Sequence, residues 1–244
     1  MSPRPDPFLR LVHRPDANDI DRVPSGGNRG GTVPPSDYFL IVTEGKVTEP
    51  TYFSLLRDRM RIASVRIRIA PGRTSDPKHV IETAVSLREE PIRKAKEGKA
   101  SLVEPDEYDQ VWAVIDTDVA IRNGSWDEIR LFAEQSNVIL APSTPCFEFW
   151  LILHLCFTTR TDLFDGAAAK RAFKDQLRLD YSTNAKMAKR AIESIIPHYV
   201  TAVRNAQSVR VHHRELGTPW PPNPSTDVDL LITELTKSSR TGQL

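Results

Sequence analysis

The chain has 244 residues and a formal net charge of +1, with 39% hydrophobic and 27% charged residues. That length holds one large domain or two small ones, and the balance of apolar and charged residues predicts a soluble globular protein. A near-neutral sum neither demands nor forbids a nucleic-acid partner, because a local basic patch matters more than the total. No apolar run reaches membrane-spanning length, and the N-terminus has no apolar signal-peptide core, so a non-membrane, cytoplasmic protein is expected. Cys146 and Cys156 share one apolar stretch; on a helix they would stand about 15 Å apart along the axis, too far to bridge. They read as reduced core residues, and no Cys and His spacing marks a zinc site.

Residues 1–36 are rich in Pro, Gly, Arg and Asp and show no period, which predicts a flexible, solvated arm. Tyr38-Phe39-Leu40-Ile41-Val42 has the length and β-branched content of a buried strand and stops at Thr43-Glu44-Gly45. Thr48 then caps a helix whose early positions hold Glu49 and Pro50, where the missing proline N–H costs little. Strand, glycine loop and helix together place Glu44 and Glu49 at the carboxyl end of a strand, the edge where open α/β sheets bind ligands. Solvated loop acids are the plain alternative.

Val65-Arg66-Ile67-Arg68-Ile69 alternates strictly, as a strand near an edge does. Asp76-Pro77 starts a helix over roughly 77–97, and its charged second half reads as a solvated face. The next apolar run, Tyr108 to Ile115, ends in Asp116-Thr117-Asp118. Alternation along an extended strand end would point Asp116 and Asp118 the same way. Two carboxylates aimed at one point repel unless a cation sits between them or one is protonated, and hard oxygen ligands suit Mg²⁺ or Mn²⁺. A turn capped by Asp116 is the alternative. Ser125-Trp126-Asp127-Glu128 has the capping-box pattern and opens a helix to about Gln135; Val138-Ile139-Leu140-Ala141 is another buried strand. The alternation predicts an α/β fold with a mostly parallel four-stranded sheet and helices on both faces.

Pro145 to Leu155 is apolar nearly all round a helical wheel, so a buried helix is expected, and Glu148 is out of place in it. A buried carboxylate costs several kcal/mol (roughly) unless paired, protonated or metal-bound; a salt bridge and a metal role both stay open. His154 lies about 240° round the helix from Glu148 and reads as a core or rim histidine. Helical patterns follow over 167–179 and 184–206, the second broken by Pro197, and Ser225-Thr226-Asp227 caps a last helix over 228–236. Basic residues outnumber acids between Arg160 and Glu215. A basic helical surface beside an acidic cluster suits a phosphodiester substrate, and an ordinary solvated face explains it equally well. The expected organisation is an arm at 1–36, an α/β domain at 37–160 and a helical C-terminal subdomain at 161–244. Apolar residues on the C-terminal helices are either core or a surface for homo-oligomerisation.

Glu44-Gly45-Lys46-Val47-Thr48-Glu49-Pro50-Thr51-Tyr52-Phe53, then Asp116-Thr117-Asp118, then Pro145-Cys146-Phe147-Glu148-Phe149-Trp150-Leu151-Ile152-Leu153-His154, then Asn223-Pro224-Ser225-Thr226, resembles RloB-like proteins over roughly residues 37–238. The resemblance implies a divergent Toprim-type domain, as in topoisomerases, primases and OLD-type nucleases, with a Glu after the first strand and an Asp-x-Asp after a later one. By similarity Glu44, Asp116 and Asp118 take the catalytic roles. Glu49 stands where OLD-like nucleases have a second acid, and Glu148 is the counterpart of the acid that completes a second metal site. The implied cofactor is Mg²⁺ or Mn²⁺, held among Glu44, Glu49, Asp116, Asp118 and Glu148. The basic residue those nucleases keep near the second metal has no clear counterpart; Lys186 and Lys189 are candidates, with Lys46 and Arg190 as further nucleic-acid contacts. The expected activity is metal-dependent hydrolysis of DNA or RNA in anti-phage, restriction-associated defence, with an ATPase partner encoded nearby. A non-catalytic nucleic-acid-binding or regulatory subunit of such an ATPase is the rival. Nucleotidyl transfer ranks last, since Glu44-Gly45-Lys46 lacks the P-loop spacing.

Overall fold

The computed structural model describes residues 37–60, 65–72, 76–99, 107–182 and 184–241; the arm read over 1–36 lies outside them. β1 (Asp37–Thr43) pairs in parallel with β2 (Val65–Pro71) on one side and with β3 (Gln110–Asp116) on the other, and β3 pairs in parallel with β4 (Ile139–Thr144). Strand side chains alternate between faces, so each central strand feeds two cores. Phe39, Ile41, Trp112 and Val114 face one, and Leu40, Val42, Val111, Ala113 and Ile115 face the other. Burial on both faces is why β1 and β3 read as continuous apolar runs. β2 is the edge strand its alternation predicts: Ile67 and Ile69 pack on the first core. Its polar residue Arg68 donates to Glu90 Oε2 at 2.8 Å. The charged second half of the helix carrying Glu90 is therefore partly a lid on this strand rather than a wholly solvated face.

Each crossover helix buries one stripe. α1 (Thr48–Met60) lays Tyr52, Phe53 and Leu56 on the first core. α2 (Pro77–Lys96) and α4 (Trp126–Gln135), the latter preceded by the short α3 (Asp118–Arg122), cover the second with Val80, Ile81, Ala84, Trp126, Ile129 and Ala133. The expected capping box at Ser125 does not form; its hydroxyl donates to Ala120 O at 3.3 Å. The chain leaves β1 toward one face and β3 toward the other. The carboxyl ends of these neighbouring strands thus border the crevice at which doubly wound sheets bind ligands.

Among the described residues the sheet has five strands, not the expected four. β5 (Ser225–Thr226) pairs antiparallel with β4, Ser143 opposite Thr226 and Thr144 opposite Ser225, in the order β2-β1-β3-β4-β5. Two residues carry no readable period, and the same residues also satisfied the expectation of a helix cap; Thr226 Oγ1 does accept from Val228 N–H at 3.3 Å. The remaining elements are α5 (Phe147–Ile152), α6 (Gly166–Leu177), α7 (Ala185–Ile195), a 3-10 turn at Ile196–His198 around Pro197, α8 (Tyr199–Glu215) and α9 (Val228–Thr241). α5 is shorter than the apolar stretch suggested. Phe173, Ile192, Ile195, Val209, Leu231 and Leu235 of the later helices share one core with Phe39 and Trp112. No helix among the described residues is long and apolar enough to cross a membrane.

A buried ionic lock holds the last helix pair. Arg210 on α8 donates to Asp229 at 2.7 and 3.2 Å, to Asp227 at 2.9 Å and to Thr226 O at 3.3 Å. Asp229 is fully buried. Removing the cation alone strands two buried carboxylates, which typically costs about 3–5 kcal/mol. Arg210→Met is therefore expected to lower unfolding stability by about that amount in urea titrations, and Arg210→Met/Asp227→Asn/Asp229→Asn to recover part of it.

Candidate active site

Glu44 is the first residue past β1. Its N–H donates to Val114 O at 3.0 Å, extending the ladder toward β3, and its Oε2 accepts the N–H of Asp116 at 3.0 Å. Asp116 is the last residue of β3, and its Oδ1 accepts the N–H of Phe147, the first residue of α5, at 2.8 Å. That N–H is one of the donors a helix start leaves without an internal partner. Glu49, in the first turn of α1, reaches back so that Oε1 accepts Gly45 N–H at 3.0 Å. A Cβ at position 45 would lie 2.0 Å from Glu49 Oε2, so only glycine lets this carboxylate lie against the loop.

Glu148, in the first turn of α5, is only 4% exposed. Tyr181 O–H donates to its Oε1 at 2.8 Å, Cys146 S–H donates to its Oε2 at 3.0 Å, and Lys170 Nζ stands 4.0 Å from Oε1. Tyr181 has one hydroxyl proton and gives it to Glu148, so the 3.1 Å contact with Thr48 is a bond that Thr48 donates. The hydroxyl expected to cap α1 thus braces the partner of Glu148 instead.

These acids act on one another through charge. Burial pushes Glu44 up to about 7; the Asp116 N–H opposes this, and the charges of Glu49, Asp118 and Asp76 add to it. Asp116 is raised well above the usual carboxylate range, first by loss of solvent and then by Glu44, Glu49 and Glu148. Glu49 is raised by burial and by Glu148, with Lys170 opposing. Lys170, half exposed, is shifted up chiefly by Glu148, with Asp116 and Glu49 also acting on it.

Asp118 does not follow the alternation expected of it. Extended backbone ends at Asp116 and α3 begins at Asp118, whose Oδ1 accepts Val119 N–H at 2.7 Å and whose Oδ2 accepts Gly166 N–H at 3.4 Å. It acts on Glu44 through charge but faces the first turn of α6. Lys46 is exposed on the β1–α1 loop. Lys186, Lys189 and Arg190 are exposed on α7, Lys189 beside Glu193 at 3.7 Å. The cation that acts on Glu49 and Glu148 is instead Lys170, one turn along α6; nothing in the sequence set it apart from the other basic residues of its region. Tyr181, in the loop before α7, also carried no signal. His154 is structural: it donates Nδ1–H to Trp150 O at 3.1 Å and accepts from Tyr52 O–H at 3.0 Å, with burial lowering its pKa to about 3.

Among the described residues no three His, Cys, Asp or Glu side chains stand in position to hold one metal ion together. The donor set nonetheless fits a hard divalent cation in kind and charge. Glu44 and Asp116 each commit one oxygen to a backbone N–H and leave the other without a hydrogen bond among the described residues, and Glu49 gives its Oε1 to the Gly45 N–H. Clustered carboxylates pushed toward protonation are what a bound cation relieves.

A model of the RloB-like protein family matches residues 39–235, a span that contains every residue of this cluster. No curated protein and no solved structure matches the chain.

Two outcomes follow from this geometry. The folded protein holds a proton on Glu44 that the unfolded chain releases near the ordinary value of 4.5. Without divalent ions, this group's contribution to stability falls as pH rises from about 4.5 through about 7. Urea midpoints measured in chelator should drop across that window, and Glu44→Gln should flatten the drop; a midpoint that climbs with pH in wild type only would contradict the buried-acid picture. Gly45→Ala forces the Glu49 carboxylate out of its place, with an expected loss of about 1–3 kcal/mol in the same titration.

Proposed function

We propose that this chain, which belongs to the RloB-like family, is a metal-dependent nuclease that hydrolyses phosphodiester bonds of a nucleic acid. The observation that carries the reading is the gathering of Glu44, Glu49, Asp116 and Glu148 at the crevice between two parallel strands, with Lys170 4.0 Å from Glu148. Magnesium or manganese held by Glu44, Glu49 and Asp116, with Glu148 beside them, would supply activated water and positive charge at the phosphate. Burial and its acidic neighbours push Glu44 up to about 7 when no cation is bound; a bound cation lowers it and makes the ionised carboxylate available as a ligand. Lys170 stays protonated and offers its charge to a phosphate oxygen. Tyr181, Thr48 and Cys146 fix the Glu148 carboxylate. Lys46 on the loop, and Lys186, Lys189 and Arg190 on α7, supply a basic surface for the sugar–phosphate backbone. The sequence resemblance supports a role in anti-phage defence with a partner ATPase.

The test is incubation of the purified protein with Mg²⁺ or Mn²⁺ and a panel of plasmid DNA, single-stranded DNA and total RNA. Wild type is expected to cleave one class, with chelator abolishing cleavage. Glu44→Gln and Asp116→Asn should each lose on the order of 10²–10⁴-fold. Lys170→Ala should slow cleavage while Mn²⁺ binding by calorimetry persists. Absence of both cleavage and Mn²⁺ binding would sink the nuclease reading and leave the non-catalytic subunit.

A further inference from the structure

We propose that the cleft beside Asp118 takes an unpaired nucleobase of the strand being cut, so that the protein acts on single-stranded or looped nucleic acid in preference to duplex. The cleft measures about 220 Å³ and is lined by Asp118, Ile121, Arg122, Phe164, Asp165 and Asn223, among others. That space exceeds the share of several waters, about 30 Å³ each, and falls short of a drug-sized pocket of roughly 300–1,000 Å³. It suits one planar ring system.

Its walls suit one too. Phe164 is 67% exposed, although its ring would gain most from burial. The backbone beneath it is fixed: its carbonyl accepts from Asn223 Nδ2 at 3.1 Å, and the next residue, Asp165, caps α6 by accepting Ala168 N–H at 2.7 Å. A solvent-facing aromatic on an anchored backbone is a stacking platform for a base. Asn223 Oδ1 and the second oxygen of Asp165 accept no hydrogen bond among the described residues. With Asp118 they make the wall acceptor-rich. Such a wall repels phosphate and matches the N–H edge of a base. Arg122, exposed and without an ion pair among the described residues, adds a cation for the neighbouring phosphate.

The cleft and the carboxylate cluster share a wall. Gly166 N–H donates to Asp118, Gly166 O faces Cys146 Sγ at 3.9 Å, and Cys146 donates to Glu148. A strand with one base in the cleft would bring its adjoining phosphate across this wall, to the side on which Glu148 stands. A duplex must first unstack and unpair that base, at a cost of about a few kcal/mol; an unpaired strand does not.

The inference rests on the nuclease reading for its strand, but its test needs no cleavage. Oligonucleotides carrying one 2-aminopurine, single-stranded or in a blunt duplex, would be titrated with the full-length protein in Ca²⁺ and in chelator. Wild type is expected to quench the probe in the single strand and to bind it more tightly than duplex. Phe164→Ala should lose the quench and on the order of ten-fold in affinity, while Phe164→Tyr keeps both and circular dichroism shows all three folded. Equal binding by wild type and Phe164→Ala, tighter binding to duplex, or no binding to any strand would each overturn the proposal. Metal-dependent cleavage alongside a silent Phe164→Ala would retire the cleft and keep the nuclease. Phe164-dependent binding by a protein that cuts nothing would keep the cleft and retire the nuclease.

Discussion

Carboxylates that share a small volume away from water repel one another, and the fold has to hold them there against that repulsion. Here each acid is held by a donor from another part of the chain. Glu44 takes the N–H of Asp116, Asp116 takes the N–H of Phe147, Glu49 takes the N–H of Gly45, and Glu148 takes the hydroxyl of Tyr181. The backbone donors lie at strand and helix ends, where regular structure leaves N–H groups unpaired. The acids therefore lash β1, β3, α1 and α5 together, and burial pushes three of them toward their protonated forms. Hydrogen bonds to charged acceptors are among the strong ones in proteins, which offsets part of the desolvation. The raised pKa values of Glu44, Glu49 and Asp116 show that the offset is incomplete.

The sheet supplies only half of this arrangement. Glu44 and Asp116 stand at adjacent strand ends because β1 and β3 are neighbours sending their connections to opposite faces. Glu148 arrives from α5, Lys170 from α6 and Tyr181 from the loop before α7. The later helices share the core under α1, so the side chains around Glu148 are positioned by the same packing that stabilises the sheet. The family match runs from β1 into α9.

Much of this was legible in the sequence because its signals were local. An apolar run of strand length that stops at acids says where β1 and β3 end. A helix apolar on every side with one glutamate says that Glu148 is buried and needs a partner. The parts that were not legible depend on pairings distant in the chain. β5 is two residues long and is recognised only by its partner Thr144 and Ser143. Lys170 resembles every other lysine on a basic helix until Glu148 is placed 4.0 Å away. The hydroxyls of Thr48 and Ser125 sit where helix caps are expected, yet they bond Tyr181 and Ala120 O. Local pattern names a candidate donor but does not rank the acceptors that tertiary packing brings to it.

The Asp-Thr-Asp segment shows what a single backbone change does to a motif. Had the extended conformation continued through Asp118, both aspartates would face one point. The chain instead turns helical at Asp118. Asp116 stays with Glu44 and the α5 start, while Asp118 turns toward Gly166 and the cleft under Phe164. Thr117 lies fully buried between them and anchors the turn, its N–H on Ser143 O at 3.1 Å and its hydroxyl 2.6 Å from that of Thr144. The motif thus spans two compartments that share a wall, one rich in buried carboxylates and one with an exposed aromatic. Two residues apart in sequence, the aspartates enter different compartments because the backbone passes from strand to helix between them.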